Sequence, residues 1–272
     1  MYKLACSVVL LALPTVAADP ATVKFRLEPA VGSAYEAAST HTREVDLGEG
    51  KRVDKSVGKV KFFTDKLADE YRIKATTTET RIERDGQPIL SPMLTANIGV
   101  ELIYEFDADG KLTTIRGYEG ILEQLKKMLP APFVAQMTPL FNSDGLRKRD
   151  IATWNGRGGQ LLGKEVKIGD VETKTEPFAL PTRGTVQTNV EATYAGWVDC
   201  EQSRCVRIVY KYSTDDAEAK VTGEGEKIVD PATLRVYSES SEKRLSGELE
   251  VPSKGKQQVT LVETQDYKTS TL

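Results

Sequence analysis

Cys200 and Cys205 stand in "VDCEQSRCVRIVY" (198–210), and no other pair in the chain is better spaced for chemistry. A zinc site needs four ligands, and only His41 or carboxylates are left to complete one. A thioredoxin-type redox pair is C-x-x-C in a βαβ setting. Here four residues separate the cysteines, and both flanks alternate as strands do. The pattern predicts a hairpin with loop "EQSR" that sets Cys200 opposite Cys205, close enough for a structural disulfide. In that register Trp197 pairs with Ile208, Ala195 with Tyr210 and Thr193 with Tyr212, all on the core face with Val206. The cysteines then fall on the other face with Val198, Arg207 and Lys211.

The remaining motifs read as scaffold. "GGQLLGKE" matches the phosphate-loop spacing from Gly158 to Lys164, but Glu165 stands where a Ser or Thr should hold magnesium. A carboxylate there repels phosphate, so the stretch reads as a glycine-rich connector. His41 sits in the strand-like "STHTRE" with neither HExxH nor G-x-S-x-G beside it, which predicts an exposed strand residue. "DADG" (107–110) lacks the downstream Glu of a calcium loop and lies between two alternating runs, where a hairpin turn belongs. Asp215, Asp216, Glu218, Glu224 and Glu226 read as a solvated rim, and "LRKR" (146–149) as a charged helix face. No metal site, no cofactor and no catalytic residue is assigned.

The first eighteen residues carry a positive Lys3, an apolar run from Leu4 to Leu13 and a small-residue end at Val16-Ala17-Ala18. That is a signal peptide (1–18) with cleavage before Asp19. Its apolar run is shorter than the ~20 residues of a membrane span, and Cys6 comes too early to be a lipidation site. The expectation is a secreted or periplasmic protein with a mature chain from Asp19 to Leu272. Without Lys3 that chain has 36 basic and 40 acidic residues, a mildly acidic balance. Nucleic-acid binders usually carry a basic field, so nucleic acid is not expected as a partner. No later apolar run is long enough to span a membrane.

Most of the mature chain alternates with period two, as in "EYRIKATTTETRIER" (70–84) and "TLRVYSESSEKRLSGELEV" (233–251). About ten to twelve long strands with one polar face imply a mainly β (α+β) domain over 19–272. Its core is a large curved antiparallel sheet or half-barrel. The centre differs. Ile121, Leu122, Leu125, Met128 and Leu129 repeat with helical spacing, and Phe133, Val134, Met137, Leu140 and Phe141 repeat it again. Pro139 should kink or end the second helix. "NSDGLRKRDIATW" adds a third, anchored by Leu146, Ile151 and Trp154. Two or three short helices inserted near 118–153 therefore cover one face of the sheet.

This layout resembles two groups. In secreted bacterial proteins of unknown function a central helical stretch leads to a "VKxGD" segment, here within "EVKIGDVETKTEPFALP" (165–181). The aromatic that usually follows Gly-Asp is replaced by Val171 and Glu172. The layout also resembles the LolA/LppX-type lipoprotein-carrier half-barrel. The resemblance implies a cavity between sheet and helices suited to a lipid or acyl chain.

The ten stripe residues, Ile121 to Leu129 and Phe133 to Phe141, are the ligand-cavity candidates. The first functional reading is a non-catalytic exported protein, periplasmic or of the cell envelope, that holds a lipid or other apolar molecule. An envelope protein-interaction or structural module with a filled core and a protein partner is the alternative, and an enzyme the third. The cysteine reading has a direct test. A maleimide probe should label neither Cys200 nor Cys205 in the native exported protein. Replacing both with Ser should cost about 2 kcal/mol in chemical denaturation, because the closed loop is short.

Overall fold

The computed structural model describes residues 20–48, 50–67, 70–142, 144–157, 159–182, 184–201, 203–216, 218–251 and 255–272. The expected signal peptide with its Cys6 lies outside the described residues, as does Gly158 of the glycine-rich connector. Alternation of period two becomes a run of strands: β1 (Thr22–Lys24), β2 (Ala34–Asp46), β3 (Lys51–Leu67), β4 (Glu70–Arg84), β5 (Gln87–Pro88), β6 (Glu101–Phe106) and β7 (Leu112–Arg116). After the helices come β8 (Glu165–Lys167), β9 (Val171–Ala179), β10 (Thr185–Cys200), β11 (Ser203–Ser213), β12 (Ala219–Val229), β13 (Val236–Val251) and β14 (Gly255–Thr271). The helices are α1 (Pro92–Thr95), α2 (Tyr118–Met128), α3 (Ala131–Asn142) and α4 (Asp144–Arg157).

Twelve strands form one open antiparallel sheet in the order β7-β6-β4-β3-β2-β14-β13-β12-β11-β10-β9, with β5 attached to β4. β1 and β8 pair apart from it. The register sorts side chains cleanly between the two faces. One face carries Lys55 and Lys59 of β3, Glu242 and Arg244 of β13, and Glu224 and Glu226 of β12. The opposite face carries Tyr35, Phe62, Ile73, Tyr104, Leu245 and Leu261.

That second face is concave. Arg43 of β2 donates to the carbonyl of Ala179 at the end of β9, six strands away in the sheet, at 3.1 Å. Val45 of β2 also shares an apolar cluster with Phe178 of β9 and Val186 of β10. The sheet therefore rolls until an edge strand faces its own middle. Glycines let the neighbouring strands β12 and β13 lie close together. A Cβ at Gly223 would collide with the Glu242 carbonyl oxygen, one at Gly247 with that of Glu218, and one at Gly225 would lie 2.9 Å from that of Ser240.

At the other end of the strands the concave face is wider, and a larger core fills it. Ile73, Phe106, Leu112 and Ile115 from one side of the sheet join Ala192, Tyr194, Ile208 and Val229 from the other. Between them lie Val23, Phe25 and Leu27 of the N-terminal segment and Ile121, Leu122 and Leu125 of α2. The N-terminal segment is tied in by backbone bonds from Phe25 to Lys164, Arg26 to Pro231 and Glu28 to Ala232. The Trp197 indole donates to the Pro20 carbonyl at 2.8 Å. The "VKIGD" segment forms β8 and a turn in which Gly169 donates to the Tyr194 carbonyl and Tyr194 to that of Asp170.

Three expectations need correction. The β10–β11 hairpin is tighter than "EQSR" implied, because Cys200 pairs with Ser203 and Val198 with Cys205. A two-residue connection fits strand twist better than a four-residue one. The two cysteines are diagonal neighbours with Cα atoms 5.8 Å apart, at disulfide distance. Trp197 pairs with Val206, and a bulge between Tyr194 and Gly196 then shifts the phase. Tyr194, Ala192 and Val190, not Ala195 and Thr193, accordingly join Ile208, Tyr210 and Tyr212 on the core face. Pro139 does not end α3, which runs on to Asn142. One turn from a helix end few backbone bonds remain for the proline to break, and the Thr138 hydroxyl donates to the Val134 carbonyl. Finally, α1 was not foreseen, and α4 runs past 153 to Arg157.

The rolled sheet has a sharp test. Gly247→Ala should destabilise by about 1–3 kcal/mol through overpacking. Ser246→Ala, exposed on the outer face beside it, should stay within about 0.5 kcal/mol in the same denaturant titration.

Candidate functional site

Strand residues on the concave face, not the helix stripes, surround a cavity of about 300 Å³. Its floor is laid by neighbouring strands: Phe106 and Tyr104 of β6, Ile73 of β4, Phe62 of β3, Tyr35 of β2, and Tyr267 and Gln265 of β14. Val236 and Glu239 of β13 continue it, with Thr233, Leu234 and Arg235 of the preceding connection. Asp150, Thr153 and Trp154 of α4 form the roof. Tyr35 stacks on Phe62 with ring centres 4.9 Å apart, and Trp154 meets Phe106 edge-on at 5.1 Å. Leu234 holds a left-handed backbone, φ 56°, that turns its buried side chain toward this space. Such a conformation costs about 1 kcal/mol in a residue with a Cβ.

The polar groups are few and mostly paired. Arg235 lies over the rings of Tyr35 and Tyr237, at 4.5 and 4.3 Å. Its Nε donates to Thr269 at 3.2 Å and its Nη1 lies 3.6 Å from Glu201, while Nη2 is buried with no partner. Glu239 faces Lys227 at 3.4 Å. Asp150 accepts from the Tyr118 hydroxyl at 2.6 Å and from Arg149 at 3.3 Å. Burial pushes the Tyr35 phenol well above its ordinary range, Tyr267 adds to this, and Arg235 opposes it. Burial likewise raises Tyr118, helped by its bond to Asp150.

The ten helix residues divide. Ile121, Leu122, Leu125, Val134 and Phe141 are buried in the larger core, with Leu129 and Met137 packed against it. Met128 is 42% exposed and Phe133 59%. Leu140 lies in α3, and its side chain is outside the described residues. None of the other nine lines the 300 Å³ cavity. Ile121, Met137 and Phe141 instead line a second cavity of about 500 Å³, with Met93 of α1, Leu102 of β6 and Leu146 of α4. The lining of the first cavity was missed because it converges from separate strands. The available signal was the series of aromatics at inward positions, Tyr35, Phe62, Tyr104, Phe106 and Tyr267.

The other motifs fall into scaffold roles. Lys164 of the glycine-rich connector is held by Glu172 at 2.6 Å. Asp107 accepts from the backbone of Asp109 and Lys111, which closes the β6–β7 turn. His41 is half-buried on the concave face, not simply exposed, with Glu263 at 3.6 Å. That contact holds the Glu263 carboxyl below its usual range. Among the described residues no cluster of three His, Cys, Asp or Glu side chains could hold a metal ion, and no helix is long and apolar enough to cross a membrane.

No protein-family profile and no curated protein sequence matches the chain. Among solved structures it is similar to lipovitellin, from a study of lipid–protein interactions in that protein, at 11% identity and a TM-score of 0.43. That match covers 89% of this chain, which spans 25% of the lipovitellin chain. It is also similar to a Bacteroides fragilis protein with a YmcC-like fold, at 8% identity and a TM-score of 0.24, covering 89% of this chain and 97% of that one. Neither likeness assigns a function.

The buried phenols give a pH prediction. Tyr35, Tyr118, Tyr194, Tyr210 and Tyr212 are all raised, first by burial. Their stabilisation is complete below the ordinary phenol value of about 10 and is lost above it, as the unfolded chain sheds protons that the fold retains. In an alkaline ultraviolet titration these five should ionise only as the protein unfolds.

Proposed function

We propose that this is a non-catalytic exported protein, periplasmic or of the cell envelope, that holds a lipid or other apolar molecule between its sheet and its helices. The cavity beneath α4 supports this reading more than any other feature. A folded interior is normally packed to the density of an organic crystal. Here, aromatic and aliphatic side chains from six neighbouring strands line about 300 Å³ without filling it. Ligand sites are typically concave, mainly apolar and provided with a few placed polar groups. Asp150, Glu239 and Arg235 supply such groups in a lining that is mainly aromatic and aliphatic. The disulfide-distance cysteines fit an oxidising compartment.

The alternative, an envelope interaction module, draws support from a separate observation. Ile89, Leu90, Met93 and Ile98 are exposed around α1, and Met128 and Phe133 near the α2–α3 junction. Exposed apolar groups of this kind mark contact surfaces when they form one patch.

The two readings separate in one set of measurements. Native mass spectrometry and solvent extraction of the exported protein should find a bound apolar molecule, and the stripped protein should take up a fluorescent fatty acid. Thr153→Trp places a large ring in the cavity from an exposed position of the roof. It should weaken uptake at least tenfold and leave the circular dichroism and melting temperature unchanged. A protein that carries no lipid and binds no probe would overturn the ligand reading in favour of the interaction module.

A further inference from the structure

The second cavity, of about 500 Å³, shares a lining residue, Asp150, with the first. α4 roofs both. Leu146, Arg149 and Asp150 face the second, and Asp150, Thr153 and Trp154 face the first. These residues follow one another along a single helical stripe, and a rise of 1.5 Å per residue spreads Leu146 to Trp154 over about 12 Å. The floors are continuous in the same direction. Leu102 lines the second cavity and Tyr104 and Phe106 the first, and in β6 these are successive residues of the concave face. On β4 the order repeats, with Thr77 under the second and Ile73 under the first.

What divides them is polar. Asp150 borders both spaces and accepts the Tyr118 hydrogen bond at 2.6 Å from the start of α2. Arg149 lies beside it at 3.3 Å. Tyr118 is fixed by the residue before it. Gly117 adopts φ 103°, and a Cβ there would collide with the Glu101 carbonyl oxygen. Away from this junction the second cavity is walled largely by Met93, Val100, Leu102, Ile121, Met137 and Phe141. The molecule thus has two apolar chambers that meet at a donor–acceptor cluster.

We infer, on the ligand-holding reading above, that the ligand is an amphiphile with two apolar limbs. One limb lies in each chamber, and the polar linkage between them sits at Tyr118, Arg149 and Asp150. A single straight chain leaves one chamber empty or must pass its methylenes over the Tyr118–Asp150 pair. Tyr118 and Asp150 satisfy each other in part. A passing chain still strips water from the remaining Arg149 N–H donors and Asp150 lone pairs without replacing its hydrogen bonds, which is costly. A ligand with ester or amide groups at its branch point meets them instead. Its second limb also removes the apolar walls of the larger chamber from water.

The test compares two probes with the same fluorophore, a single-chain fatty acid and a diacyl phospholipid, on the stripped full-length protein. The wild type should bind one diacyl molecule per chain, at least tenfold tighter than the fatty acid. Leu146→Trp fills the second chamber. It should cost the diacyl probe tenfold or more and change fatty-acid binding less than twofold. Asn97→Trp, entering from the α1 side, serves if Leu146→Trp loses its circular dichroism. Thr153→Trp should weaken both probes. Equal effects of the second-chamber variants on both probes, or two fatty acids per chain with no diacyl preference, would overturn the two-limbed ligand while leaving the ligand-holding reading intact. Binding of neither probe by the wild type would remove both.

Discussion

Backbone hydrogen bonds run unbroken from β7 to β9, and this ladder obliges one continuous sheet to bury one face while wetting the other. A flat sheet of that width has nothing to lay its apolar face against. Rolling solves part of the problem. Where the strands converge, the sheet covers itself, and Val45, Phe178, Val186, Leu245 and Leu261 form a closed cluster without any helix. Where the strands diverge, other material has to enter, and the helical insert and the N-terminal segment supply it. The helices are therefore a plug dictated by the shape of the sheet.

The cavities follow from the same mismatch. A short helix is a straight cylinder about 10 Å wide, and a twisted, rolled sheet offers it a saddle. α2 settles deeply, with Ile121, Leu122 and Leu125 in the core. α4 packs against the core through Leu146, Ile151 and Trp154, which are only partly buried. The space it leaves is lined by aromatic rings that span the gap without filling it. The polar groups there, Arg235 over two tyrosines and Asp150 under Tyr118, are each held by several partners.

The sequence made the class of fold legible because its strands are long and their alternation is regular. One polar and one apolar face per strand leaves few arrangements other than a large antiparallel sheet. The helices at 118–142 were equally plain, since Ile121, Leu125 and Phe141 carry a period that strands cannot share. Local register was less accessible. Nothing in "TYAGWVDC" separates a bulge before Gly196 from straight alternation, and one extra residue reverses the facing of everything upstream. α1 is four residues long, too short to show a period. The lining of the first cavity was beyond reach for another reason. Tyr35, Phe62, Tyr104 and Tyr267 each look like ordinary strand aromatics. It takes the β2–β3 and β4–β6 pairings together with the long-range pairing of β14 with β2 to gather them.

The N-terminal segment carries a consequence for the order in which the chain can fold. Val23 and Phe25 are among the most completely buried residues, yet their partners are Lys164, Val166 and Tyr194, and the next residue, Arg26, donates to the Pro231 carbonyl. This segment cannot complete its backbone bonds until the chain has reached Pro231 and Ala232, more than two hundred residues later. Contacts so distant in sequence slow folding, because the chain entropy is lost before they can compensate. An apolar strand thus waits exposed while the sheet assembles and becomes its last inserted piece. The N-terminal segment is seated by strands and turns that lie far along the chain from it.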